Sequence, residues 1–209
     1  ARTLAPKPLT VLLDEPFSNV DASMRKEMSL EIEQILRENQ ITTVLVTHDR
    51  EEAFSIADRI AVMSKGEIEQ IDRPEELYKE PSTRFVASMI GISNFLEGKV
   101  GDNGQVLTEL GKLRFQTQYD EIKVGSTVDL LVHPDDFRAI ADPNGKFTIT
   151  NREFRSEDIL LTIELPSGKT ISCSQRHDST LAAQTKITLI CVKTNPFIAF
   201  HGNSVNTNL

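Results

Sequence analysis

Tryptophan is missing from this 209-residue chain, aromatic residues make up only 6% of it, and there are two cysteines. With a formal charge of -8, the shortage of aromatic platforms and of surplus Lys and Arg excludes a broad nucleic-acid groove, because such grooves stack bases on rings and neutralise phosphates. Cys173 and Cys191 are too few and too far apart to frame a disulfide scaffold or a Cys-x-x-Cys metal knuckle; both are expected to be buried thiols. No stretch approaches the roughly 20 apolar residues that cross a bilayer, and Ala1-Arg2-Thr3-Leu4 has no secretory apolar core. A soluble, cytoplasmic chain is expected. What remains is ordinary globular material, 39% hydrophobic and 26% charged, long enough for two domains. The chain starts without Met, and Ala1–Ala5 reads as the tail of a helix stopped by Pro6 and Pro8, as if cut from something longer.

The first half alternates. LTVLL (9–13) is a continuous apolar run of the kind buried on both faces of a parallel sheet, and it ends in Asp14-Glu15-Pro16. Residues 22–39 carry an apolar stripe at Met28, Ile32, Ile35 and Leu36, with Asp21 placed to cap the helix. TTVLVT (42–47) is a second β-branched run, followed by His48-Asp49-Arg50-Glu51-Glu52, in which Asp49 and Glu52 have capping-box spacing. A helix at 51–57, a hairpin of RIAVM (59–63) and EIEQI (67–71) about Lys65-Gly66, and two short helices opened near Pro74 and Thr83 complete this half. Strand, helix, strand, helix, strand predicts an α/β sheet covered by helices.

From Phe95 onward the pattern is short and alternating: FLEGKV, QVLTEL, KLRFQT, TVDLLVH, KFTIT, DILLTIEL, KTISCS, KITLICV and FIAF, split by Gly, Pro, Asn and Asp. This predicts a small all-β domain built as a barrel, with a polar, frayed end from Gly202 to Leu209. The expected domains are 1–93 and 94–209.

Chemistry concentrates in the first half. Asp14 ends a buried strand, from which a carboxylate reaches Mg²⁺ through a water; Glu15 is placed to serve as a base, and His48 to donate to a γ-phosphate. Taken singly, Asp-Glu-Pro is a strand end and turn, His48 a capping residue, and Ser18-Asn19-Val20-Asp21 a helix start. Ser167-Gly168-Lys169-Thr170 tempts as a phosphate loop, yet G-x-x-x-x-G-K-[ST] needs Gly where Ile163 stands, so a hairpin turn is expected. His133-Pro134-Asp135-Asp136 reads as a turn with His133 solvated or assisting the cap, and His177 lies in a polar loop.

The order of these elements carries more than any one of them. LTVLLDEPFSNVDASMRKEM resembles the Walker B strand, catalytic Glu and D-loop of ATP-binding cassette proteins, and TTVLVTHDREEAFSIADRIAVMSKGEIEQIDRPEELY resembles their switch-histidine segment. The opening ARTLAPKP resembles the stretch after the family's signature motif, and the β domain loosely resembles the TOBE regulatory domain, an OB-like barrel, of bacterial ABC importer ATPases.

The resemblance implies an α/β partial ABC ATPase of the P-loop NTPase type followed by that barrel. It implies Asp14 as the Walker B carboxylate holding Mg²⁺ through water, Glu15 as general base, Ser18 and Asp21 in the D-loop facing the opposing subunit, and His48 as the γ-phosphate switch. Asn19 and Val20 stand where the family commonly has Ala and Leu. ATP and Mg²⁺ are the implied ligands. A second copy of the chain, transmembrane permease subunits and, indirectly, a periplasmic or surface solute-binding protein are the implied partners, on the inner face of the cell membrane.

The phosphate loop, Q-loop and signature motif do not occur in the sequence, so the chain by itself is expected neither to grip nor to hydrolyse ATP. Strands without flanking partners are expected to promote association. The solute stays open among ferric ion, sulfate, polyamine, phosphonate and sugar, with DREEA and the short β domain leaning toward an inorganic ion. The alternative reading is a regulatory and dimerisation module binding a small ion or regulator.

Overall fold

The computed structural model describes residues 8–91, 94–117 and 122–201. The helix tail expected at Ala1–Ala5 and the frayed end expected at Gly202–Leu209 lie outside the described residues. The chain divides into two compact units, Ala1–Gly91 and Ile92–Leu209.

In the first unit, strand β1 (Thr10–Asp14), helix α1 (Ala22–Glu38) and strand β2 (Thr42–Val46) form a right-sized βαβ connection. The two strands pair in parallel, from Thr10 opposite Thr42 to Asp14 opposite Val46. Asp21 caps α1 as expected, its Oδ1 accepting from the Met24 amide at 3.0 Å. At the other end Asn39 donates from its side chain to the Ile35 carbonyl at 2.7 Å, and Gln40 turns the chain through φ 53°. Burial on both strand faces does not hold: Val11 is buried, whereas Leu12, Val44 and Val46 are exposed. The burial alternates along both strands, so one face is covered and the period-two alternation sends these three to the other.

Helix α2 (Arg50–Ile56) follows, then strands β3 (Ile60–Ser64) and β4 (Glu67–Asp72) and helices α3 (Pro74–Lys79) and α4 (Arg84–Ile90). The expected single sheet is corrected here: β3 pairs with β4 and forms a separate two-stranded sheet. The turn explains the choice. Lys65 and Gly66 both take positive φ, 50° and 84°, the geometry of a two-residue connection whose twist matches a hairpin, so β3 finds its partner locally. Val62, Leu77, Val86 and Ile90 form the core beneath this hairpin, with Phe54, Ile60 and Tyr78 against it.

The second unit is all β: β5 (Asn94–Val100), β6 (Gln105–Thr108), β7 (Gly111–Gln116), β8 (Thr127–Val132), β9 (Phe137–Ala141), β10 (Phe147–Phe154), β11 (Ile159–Glu164), β12 (Thr170–Gln175), β13 (Lys186–Cys191) and β14 (Phe197–His201). Five of these close a barrel in the order β14-β7-β6-β5-β8, with β14 parallel to β7 and antiparallel to β8. The other five form an antiparallel sheet in the order β12-β11-β10-β13-β9. The barrel was expected and the second sheet was not. Strand β9 was missed outright, because Pro134-Asp135-Asp136 reads as a turn and Arg138 breaks a short apolar run. One core joins the two sheets, with Val128, Leu130, Ile149, Leu161, Ile163 and Ile187 fully buried.

Three smaller expectations resolve here. Ser167-Gly168-Lys169 is a hairpin turn between β11 and β12, with Gly168 at φ 83° and its amide donating to the Leu165 carbonyl at 2.9 Å. His133 is buried rather than solvated, within a turn closed by its amide donating to Asp136 Oδ2 at 2.7 Å. Cys173 is buried, but Cys191 is exposed: it shares the face of Ile187 yet sits at the last position of β13, where the core between the sheets runs out.

Candidate functional site

Parallel strands collect their functional side chains beyond their carboxyl ends, where the backbone turns away and leaves a crevice. Asp14 is the last residue of β1, and it lies opposite Val46, the last residue of β2. Glu15 extends the ladder by one bond, its amide donating to the Val46 carbonyl at 2.8 Å. It then leaves the strand with φ 42°, a left-handed conformation that costs a residue other than Gly on the order of 1–2 kcal/mol. From there its carboxylate meets the histidine on the neighbouring strand end: His48 Nδ1 lies 3.1 Å from Glu15 Oε1. Two residues 33 positions apart in sequence thus share one exposed site.

Asp14 is exposed at the same strand end. Ser18 is exposed on the loop between β1 and α1, its amide donating to the Glu15 carbonyl at 3.2 Å. Asp21 closes that loop as the α1 cap. The structure therefore brings Glu15 and His48 into contact, with Asp14 and Ser18 beside them in the chain, and gives Asp21 a capping task. Among the described residues no group of three or more His, Cys, Asp or Glu could hold a metal. Asp14 supplies a carboxylate at the strand end, and Mg²⁺ typically takes one or two carboxylates and completes its shell with waters and phosphate oxygens.

Sequence reasoning missed the polar cluster behind the histidine. Asp49 Oδ1 accepts from the amides of Glu51 at 2.9 Å and Glu52 at 3.3 Å, capping α2, while its Oδ2 pairs with Arg25 Nη1 of α1. Arg25 Nη2 also donates to the Val20 carbonyl at 3.0 Å. The capping box is only half made: Glu52 accepts from the Thr47 hydroxyl instead of reaching back to Asp49, and the Asp49 amide donates to Thr47 Oγ1 at 3.0 Å. Burial pushes the Asp49 carboxyl up, but the Glu52 amide, Arg25 and the Glu51 amide together hold it below the ordinary value. Capping spacing flagged Asp49; nothing in the sequence linked it to Arg25, 24 residues away.

Among the described residues the β unit carries a shallow cleft of about 400 Å³ lined by Glu157, Arg176, His177 and Asp178 and a smaller one of about 190 Å³ beside Lys112, Arg114 and Lys193. In the first, His177 Nε2 contacts the Arg155 carbonyl at 2.9 Å and the ring packs against Phe154. No helix among the described residues is long and apolar enough to cross a membrane.

No family model matches the chain. Curated relatives do. The chain is 36% identical over 184 residues to the spermidine/putrescine import ATP-binding protein PotA of Clostridium acetobutylicum, an alignment covering 85% of this chain and 50% of that protein. It is 37% identical over 178 residues to the protein of the same name from Borreliella afzelii, covering 84% of this chain and 51% of the relative. With the one from Ruegeria pomeroyi it shares 44% over 147 residues, 69% of this chain and 40% of the relative. The chain spans about half the length of the curated relatives it matches. By relationship over most of its own length, the chain belongs with the ATP-binding subunits of ABC importers.

Proposed function

We propose that this chain carries the water-activating and phosphate-sensing part of the ATP site of an importer's ATP-binding subunit. The observation that carries the reading is the contact of Glu15 with His48 at the carboxyl ends of two parallel strands. Glu15 accepts the proton of the attacking water, and His48 reports the γ-phosphate. Asp14 would hold Mg²⁺, and the ion would supply charge neutralisation at the phosphate oxygens.

The contact restricts the histidine's chemistry. A carboxylate only accepts, so His48 meets Glu15 with a proton on Nδ1; a neutral ring then has a bare Nε2, which cannot donate to a phosphate. Either the ring leaves Glu15 and turns an N–H to the phosphate, or it carries both protons and can keep Glu15 while donating from Nε2. In the first case, arrival of a γ-phosphate frees the Glu15 carboxylate for its water at the moment His48 is recruited.

The rest of the reading follows the family resemblance of the sequence. Ser18 and Asp21 lie on the loop read as facing a second subunit, and the chain works on the inner face of the membrane beside permease subunits. The barrel of the second unit, five strands with the last parallel to the third, is read as the OB-like part of a TOBE domain that supports the dimer. The relatives' names favour a polyamine as solute over the inorganic ion toward which the sequence leaned.

Replacing the aligned segment of the Clostridium relative by this chain gives a chimera that should hydrolyse ATP. In it Glu15→Gln should lower turnover by about 10²–10⁴-fold, the usual contribution of a general base, while ATP binding persists. A loss smaller than about tenfold refutes the assignment. The 209-residue chain alone should not bind a Mg²⁺–ATP analogue by calorimetry, since the backbone cradle of a phosphate loop is not in its sequence; micromolar binding would assign phosphate contacts to another loop.

A further inference from the structure

Arg25 joins three segments that the sequence keeps apart. Its Nη2 holds the carbonyl of Val20, in the loop between β1 and α1, at 3.0 Å, and its Nη1 holds Asp49, the residue after His48. Asp49 in turn caps α2. A guanidinium presents its donors in a rigid planar fork, so one side chain fixes the carbonyl and the carboxylate relative to each other. The surroundings are polar and partly buried: Arg25 Nε and Glu52 Oε1 are each buried without a hydrogen-bond partner, and Glu52 itself is buried. A leftover buried donor and acceptor typically cost stability, and packing or stability alone does not account for keeping them.

We propose that Arg25 is a positioning residue that couples the Ser18–Asp21 loop to His48, so that the loop and the switch histidine shift together. The inference rests on the reading of Glu15 and His48 given above, and it extends that reading to a residue that touches neither water nor phosphate. A loop displaced by an opposing subunit would move Val20, drag the guanidinium, and through Asp49 change the reach of His48 toward Glu15.

The test needs no nucleotide, so its failure is separable from failure of the hydrolysis reading. On the 209-residue chain labelled with ¹⁵N, the ring signals of the four histidines are recorded, His48 being assigned by its loss in His48→Gln, together with the backbone amides of residues 18–21. In Arg25→Met both the His48 ring signals and the loop amides should shift. Asp49→Asn keeps a capping side chain and weakens only the charged arm, and should shift both sets less, in the same directions. Arg25→Lys should fall between wild type and Arg25→Met. Unchanged amides in the β3–β4 hairpin, which lies in the same unit, identify variants that keep their fold. If Arg25→Met moves the loop amides while the His48 ring stays at its wild-type position, or if the two sets do not change together across the three variants, the coupling is refuted.

Discussion

Replacing Asp49 by Ala removes two things at once, and their sizes follow from its surroundings. The first is the cap: Oδ1 accepts from the Glu51 and Glu52 amides, and loss of such a cap costs about 1 kcal/mol. The second is the partner of Arg25, a pair whose side chains are 25% and 31% exposed, which places it near the upper end of the exposed range, about 1 kcal/mol. Asp49→Ala should therefore weaken α2 by about 2 kcal/mol, and Asp49→Asn, which still caps, by about half that. Amide hydrogen exchange at Glu52, Ala53 and Phe54 reads this directly: about 30-fold faster exchange in Asp49→Ala and about fivefold in Asp49→Asn.

The pH dependence gives an internal check. Burial raises the Asp49 carboxyl, but the Glu52 amide, Arg25 and the Glu51 amide outweigh it, so the folded-state value lies below the ordinary 3.8. Its stabilisation is then complete above the unfolded value and is lost as pH falls through the folded one. The difference between wild type and Asp49→Ala should hold steady at neutral pH and shrink below about pH 4. Equal exchange in wild type and the Asn variant, or a difference that widens on acidification, would show that the charge on Asp49 does not brace this helix.

Two further outcomes concern the β unit. Burial pushes the Cys173 thiol up, against lesser opposing hydrogen bonds from Gln175 and the Ala139 backbone, whereas Cys191 is exposed. Alkylation of the native chain near pH 8 should therefore modify Cys191 alone, by mass spectrometry and peptide mapping, and stoichiometric modification of Cys173 would contradict its burial. A Cβ at Gly145 would stand 2.2 Å from the Ile187 carbonyl oxygen, so Gly145→Ala must displace backbone where β10 meets β13. It should lower stability by about 1–3 kcal/mol, the usual cost of overpacking, and a melting temperature equal to wild type would show that the loop yields freely.

The site was legible in sequence because its chemistry is local to strand ends. An apolar run closed by Asp14-Glu15 and another closed by Thr47-His48 are short-range patterns, and the caps at Asp21 and Asp49 are read three residues at a time. The Lys65-Gly66 and Ser167-Gly168 turns were legible for the same reason, since each is fixed by its own φ angles. Relationship to importer subunits likewise follows from the order of motifs along the chain.

Tertiary structure decided whatever depends on partners distant in sequence. That β1 and β2 pair without β3 among the described residues, that ten β segments divide into a barrel and a second sheet, and that β9 is a strand at all are outcomes of nonlocal pairing. Exposure of Cys191 and burial of His133 depend on where a shared core ends. Most of all, the sequence supplied Glu15 and His48 as separate candidates, and only the parallel register of β1 and β2 set them 3.1 Å apart. The bond from Arg25 to Asp49 belongs to the same class: a side chain's own neighbours determine its helix, but the approach of a second helix determines what it holds.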